Sequence, residues 1–103
     1  MDSEWYPLPE TLGKIQGWQI NGYQDCEDLL AWVQQLWKWD SYFTCEHRRK
    51  RNVKGGRLYR TYHVSTGGWS GHEDMINAMQ ENYMFWGLAW YSSRKGGHFE
   101  FRV

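Results

Sequence analysis

The residues best placed for chemistry form one continuous stretch, Ser65-Thr66-Gly67-Gly68-Trp69-Ser70-Gly71-His72-Glu73, directly after the strand-like His63-Val64. Its order is strand, glycine-rich loop, helix start. Consecutive glycines let backbone N–H groups turn toward one point, and a helix amino end adds positive partial charge. Together these suit an anion, phosphate above all. Ser65, Thr66 and Ser70 add hydroxyl donors, and Trp69 adds a flat surface on which a base can stack. The same residues equally suit a structural connection, with glycines at positive φ, a capping serine and Trp69 laid over the core. An ATPase-type phosphate loop is excluded, because the Gly-Lys-Ser/Thr ending is missing.

A second cluster, Ser92-Ser93-Arg94-Lys95-Gly96-Gly97-His98, reads as a hairpin tip carrying two cations, two hydroxyls and an imidazole. Arg94, Lys95, His98 and the nearby Trp90 therefore join Ser65–Gly71 as candidate ligand-binding residues. Solubility alone is the plainer account of Arg and Lys in an exposed turn. His63-Val64-Ser65 also reads as half of a two-histidine phosphoesterase, which faces two H-x-S/T strands toward each other. The other half would be His98-Phe99-Glu100, where Glu100 replaces the hydroxyl residue and the group that polarises a phosphoryl oxygen is lost. No catalytic residue, metal or cofactor is assigned. Cys26, Cys45 and His47 lack a fourth zinc ligand and any close C-x-x-C pair.

These clusters need a scaffold. The 103 residues allow one domain, 1–103, and the 18% aromatic share with only 2 Pro argues against disorder. Leu29, Trp32, Val33, Leu36 and Trp37 recur at helical spacing, with Asp25 placed to cap the amino end. Ser70 and Glu73 form a capping-box pair ahead of Met75, Ile76, Met79 and Tyr83, which predicts a second helix. Each helix is followed by a hairpin signal: Tyr42–Arg49 with Arg57–Val64, then Met84–Ser92 with His98–Val103. The expected architecture is α+β, two helices packed on a mainly antiparallel sheet of about four strands. A shift of 46 residues aligns Glu27-Asp28-Leu29-Leu30 with Glu73-Asp74-Met75-Ile76, which suggests a helix–hairpin unit used twice, in 25–64 and 65–103. Residues 1–24 are expected to wrap the domain or to add an edge strand near Ile15–Ile20.

The zero net charge conceals segregation. Residues 1–40 carry seven acids and two bases, a net of −5; residues 41–60 carry seven bases against Glu46, a net of +6. Arg48, Arg49, Arg51, Lys54 and Arg57 of that block are candidates for contact with a protein partner or a nucleic-acid backbone. Generic nucleic-acid binding rests on a large excess of cations, which the whole chain lacks. Eight Trp and seven Tyr exceed what so small a domain covers, so aromatic surface should remain for a ligand or a second copy, and a homo-oligomer is expected. The acidic amino terminus lacks the pattern of a signal peptide, and no apolar run approaches membrane-spanning length. A cytoplasmic protein with reduced thiols and no membrane contact is expected.

The pattern Ser-Thr-Gly-Gly-Trp-Ser-Gly at 65–71, with Phe85-Trp86, Trp90 and Ser-Ser-Arg-Lys-Gly-Gly-His at 92–98, resembles small uncharacterised proteins of bacteriophage and prophage genomes. The resemblance covers about the last 40% of the chain and brings no assigned chemistry. It implies an accessory protein acting in the host cytoplasm, of the kind that neutralises a host component. The function expected from site and resemblance together is sequestration, without catalysis, of a phosphate-bearing small ligand such as a nucleotide or cyclic nucleotide. Inhibition of a host defence enzyme and single-stranded nucleic-acid binding are the alternatives.

Overall fold

In the computed structural model, residues 7–46, 50–51 and 58–103 are described. The helices are α1 (Pro9–Gln16), α2 (Tyr23–Leu36), α3 (Ser70–Glu81) and α4 (Tyr83–Ala89), with a 3₁₀ turn at Asp40–Tyr42. The strands are β1 (Phe43–Cys45), β2 (Lys50–Arg51), β3 (Leu58–Tyr59), β4 (Thr61–Ser65), β5 (Trp90–Arg94) and β6 (His98–Arg102). The fold is α+β. Strands β1-β4-β6-β5 form one antiparallel sheet in that order, and β2 and β3 pair as a separate short ribbon. The second strand of each hairpin thus lies at the centre, and the first at an edge.

Alternation decides which face of the sheet is covered. Tyr62, Val64 and Phe101 are buried, while His63 and His98 on the opposite parity are exposed. Across the sheet Tyr62 faces Phe101 and Val64 faces Phe99, so the apolar pairs stack in register toward the helices. Leu29, Leu30 and Val33 of α2 and Met75, Ile76 and Met79 of α3 close over them. Each such side chain contributes about 1.5–3 kcal/mol by leaving water.

Two segments differ from the sequence expectation. Residues 9–16 form α1 where an edge strand or a wrapping loop was expected. Pro9 occupies the first turn, where its missing N–H costs nothing, and Glu10 and Lys14 suit the two ends of the helix dipole. Its one buried residue, Ile15, leaves no periodicity to read. Residues 84–89, expected as strand, form most of α4. Aromatic content favours a strand, but Phe85 and Ala89, four residues apart, bury on one helical face.

Capping also departs from expectation. The first turn of α3 closes on Trp69, whose carbonyl accepts from Glu73 N–H at 3.1 Å, so Ser70 lies inside the helix. Gly22 precedes α2, and Asp25 in its first turn reaches back to accept from Asn21 N–H at 2.8 Å. Asn82 does most between helices. Its Nδ2 donates to the carbonyls of Ile15 and Trp18, both at 3.0 Å, and its Oδ1 accepts from Phe85 N–H at 3.3 Å. One buried amide therefore ends α1, joins it to α3 and starts α4. Asn82→Ala should cost about 2–4 kcal/mol, read by urea unfolding, since it removes a cap and strands buried carbonyls. Asn82→Asp, which sets a carboxylate oxygen against the Ile15 and Trp18 carbonyls, should cost at least as much as Asn82→Ala at neutral pH.

Candidate functional site

Among the described residues no helix covers the other face of the sheet, and that face carries polar side chains in transverse rows. Arg94, His98 and Ser65 are neighbours across β5, β6 and β4. Tyr42, one residue before β1, continues this row beyond Ser65, because Phe43 pairs with Val64. The next row is Ser92, Glu100, His63 and Thr44. The two rows floor a groove of about 750 Å³, walled at one end by Gly67 and Gly96 of the two glycine turns. A β-bulge between Trp90 and Ser92 shifts the parity of β5 and turns Ser92 and Arg94 into the groove.

The charges on this face are unequally satisfied. Glu100 accepts from Arg102 Nε at 3.1 Å, and Glu46 lies 2.7 Å from His63 Nε2. Both groove-side carboxylates are thus occupied by their own partners. Arg94 and His98 are exposed and engage no side chain in a hydrogen bond or ion pair among the described residues. The first row consequently offers unspent donors, a guanidinium, an imidazole and the Ser65 hydroxyl, with the opposing negative charge tied down beside it.

The glycine turns are held together by Thr66. This buried residue donates its N–H to the Gly97 carbonyl at 3.0 Å, and its hydroxyl accepts from Gly68 N–H at 3.2 Å. Gly67, Gly68, Gly96 and Gly97 all have positive φ, between 63° and 85°. The Trp69 N–H returns to the Thr66 carbonyl at 3.2 Å. Two of the loop's amides therefore serve the loop itself, and a third ties it to the neighbouring turn.

His72 locks the loop from beneath. Fully buried, it accepts the Lys38 N–H at Nε2 (2.9 Å), which leaves Nδ1 to carry the proton and donate to the Thr66 carbonyl at 3.0 Å. Trp37 stacks on the ring at 4.0 Å and 3°, and donates its own Nε1–H to the Ser65 carbonyl at 3.0 Å. Burial pushes the His72 pKa down against the raising effect of the Thr66 carbonyl, and the Lys38 charge lowers it further.

Of the residues singled out in the sequence, Ser65, Gly67, Arg94 and His98 meet in the groove. Thr66 and Gly68 build the turn behind it. Lys95 is exposed in the adjoining turn. Trp69 lies elsewhere: its ring covers Gly71, meets His72 edge-on at 4.5 Å and carries the Lys38 ammonium at 4.8 Å. Trp90 stacks on Trp86 of α4 at 6.2 Å, on the helix side of the bulge. Arg48, Arg49, Lys54 and Arg57 lie outside the described residues, as does His47 of the rejected zinc set; Arg51 pairs with Leu58 in the short ribbon. Among the described residues no metal-binding group of His, Cys, Asp and Glu occurs, and no helix is long and apolar enough to cross a membrane. Ser92 of the second cluster also lines the groove, and Tyr42 and Thr44, which flank buried Phe43 with strand alternation, join it from outside the two predicted clusters.

A second polar cluster is structural. Glu27 of α2 holds Arg60 Nη1 at 2.8 Å and receives the Tyr62 hydroxyl at 3.4 Å. Burial, with Cys45 and Glu27 alongside, raises the Tyr62 phenol well above its ordinary pKa.

Two substitutions should separate the roles of the glycines. Gly97→Ala meets both a positive φ and the Thr66 hydroxyl, whereas Gly68→Ala has open space around it and bears only the φ penalty. Gly97→Ala should cost about 2–4 kcal/mol and Gly68→Ala about 1–2 kcal/mol, compared by urea unfolding. The lowered His72 pKa also sets a pH dependence. Its contribution is complete above about pH 6.5, the unfolded value, and is lost as pH falls through the lower folded value. Unfolding free energy should therefore drop below pH 6.5, by at most about 1.4 kcal/mol per pH unit from this group, and His72→Gln should remove that part of the slope. Comparison with family models, curated proteins and solved structures finds no match to this chain.

Proposed function

We propose that the uncovered face of the sheet binds and sequesters a phosphate-bearing small ligand without converting it. The observation that carries this reading is the charge arrangement: Arg94 and His98 are free while Glu46 and Glu100 are each engaged by a cation or imidazole. An anion over the Ser65–His98–Arg94 row gains charge-assisted hydrogen bonds without displacing an existing ion pair. The place opposite His63 is held by Glu100, a carboxylate that repels a phosphoryl oxygen, and this favours holding over hydrolysis. The resemblance of the glycine motifs to phage and prophage proteins supplies the setting, an accessory protein that removes a host signal from solution in the host cytoplasm. Titration calorimetry against inorganic phosphate and a panel of phosphorylated small molecules should show micromolar binding of at least one member. Arg94→Ala and His98→Ala should each weaken it by about ten-fold, in line with about 1.5–3 kcal/mol for a hydrogen bond to a charged group. A folded protein that binds no member of the panel would remove the proposal.

A second reading rests on a different surface. Tyr83, Met84 and Trp90 are exposed near the start of α4 and the β5 edge. Such a patch suits a protein partner, a host enzyme or a second copy of the chain. Sedimentation that shows a concentration-independent monomer would exclude the homo-oligomer, and recovery of one nucleotide-insensitive partner from host lysate would favour inhibition.

A further inference from the structure

Tyr42 gives the groove an aromatic end. It is 39% exposed, lines the groove beside Ser65, and shares the transverse row whose other end is Arg94. The ring is braced from behind. Trp39 meets it edge-to-face at 5.3 Å and 61°, and Gly67 approaches so closely that a Cβ there would strike the ring. The positive φ of Gly67 and its missing side chain thus leave room for Tyr42 at the mouth of the groove. A braced, half-exposed aromatic at the end of an anion-binding row is a stacking platform.

The spacing of the row sets what fits. Tyr42 stands at the β1 position and His98 on β6, two inter-strand steps away, about 10 Å. Arg94 is one step further. That separation matches one nucleoside monophosphate, with its base on Tyr42, its sugar over Ser65 and His63, and its phosphate between His98 and Arg94. Trp69 and Trp90, the two indoles that the sequence recommends for stacking, are engaged with His72 and Trp86 instead.

We infer that Tyr42 is the base-reading residue of this groove and that its ligand is a nucleoside phosphate, read at one end as a planar base and at the other as an anion. The inference rests on the phosphate-binding proposal above and adds the base to it. A short calorimetric series tests it, with AMP, GMP, CMP, ribose 5-phosphate and inorganic phosphate as probes. At least one nucleotide should bind about ten-fold or more tightly than ribose 5-phosphate, the gain expected from one stacked base. Tyr42→Phe should keep that advantage, and Tyr42→Leu, which retains bulk against Gly67 without an aromatic face, should abolish it. Equal affinity for nucleotide and ribose 5-phosphate would overturn the base-reading role and leave the phosphate site standing. An undiminished nucleotide advantage in Tyr42→Leu would also overturn it. If wild-type protein binds none of the five probes, both proposals fall.

Discussion

The buried imidazole of His72 is the tie on which the site's geometry depends. Its two ring nitrogens face groups from different parts of the chain, the amide of Lys38 just past α2 and the carbonyl of Thr66 just past β4. Because a backbone amide can only donate and a carbonyl can only accept, one neutral tautomer satisfies both. The stacked Trp37 then carries the restraint one residue further, through its hydrogen bond to the Ser65 carbonyl. The end of α2, the end of β4 and the start of α3 are held to a common point. Thr66 passes that order on to the neighbouring turn through Gly97. The groove wall is therefore two loops acting as one piece.

How far this was legible in the residues follows from range. Period-two alternation in 98–103, Phe99, Phe101 and Val103 against His98, Glu100 and Arg102, predicts which face of that strand is buried, because a strand's facing is a local property, and the buried Phe101 and exposed His98 bear that out. The α2 and α3 stripes are equally local. The first segment failed for want of repetition: eight residues with one buried side chain show no period. The α4 segment failed because aromatic residues favour strands on average, whereas Asn82 caps a helix there through Phe85 N–H and is itself held in place by contacts with residues more than sixty positions away. Such a contact leaves no mark in a local window. Arg94, His98 and Ser65 were found because their types and the glycines beside them are distinctive. Tyr42 was not placed with them, because its position beside Ser65 comes from register with a strand some twenty residues later.

Tryptophan illustrates the same division. Trp37 is a core residue, Trp18 and Trp32 meet at 5.5 Å beneath the Lys14 ammonium, and Trp86 and Trp90 pair on the helix side. Trp69 looks exposed in the sequence because glycines surround it. In the fold one of them, Gly71, is what allows its ring to lie over the start of α3. Most of the indole thus belongs to the core or, like Trp18, Trp32 and Trp86, packs half-buried against it.

The bulge in β5 has a consequence for how this chain can vary. Tyr91 is the extra residue, and its ring rests on the Arg102 guanidinium at 3.4 Å. It works as a phase shifter: upstream of it the strand is in step with the core, and downstream with the groove. Loss of that one residue would leave Trp90 opposite Phe101 and Ser92 opposite Glu100 in an unbroken ladder, so the bulge absorbs one residue of extra length without turning Arg94 out of the ligand row. Past the bulge there is no such slack: loss of a residue between Ser92 and Arg94 would set Arg94 opposite Phe99, on the core face.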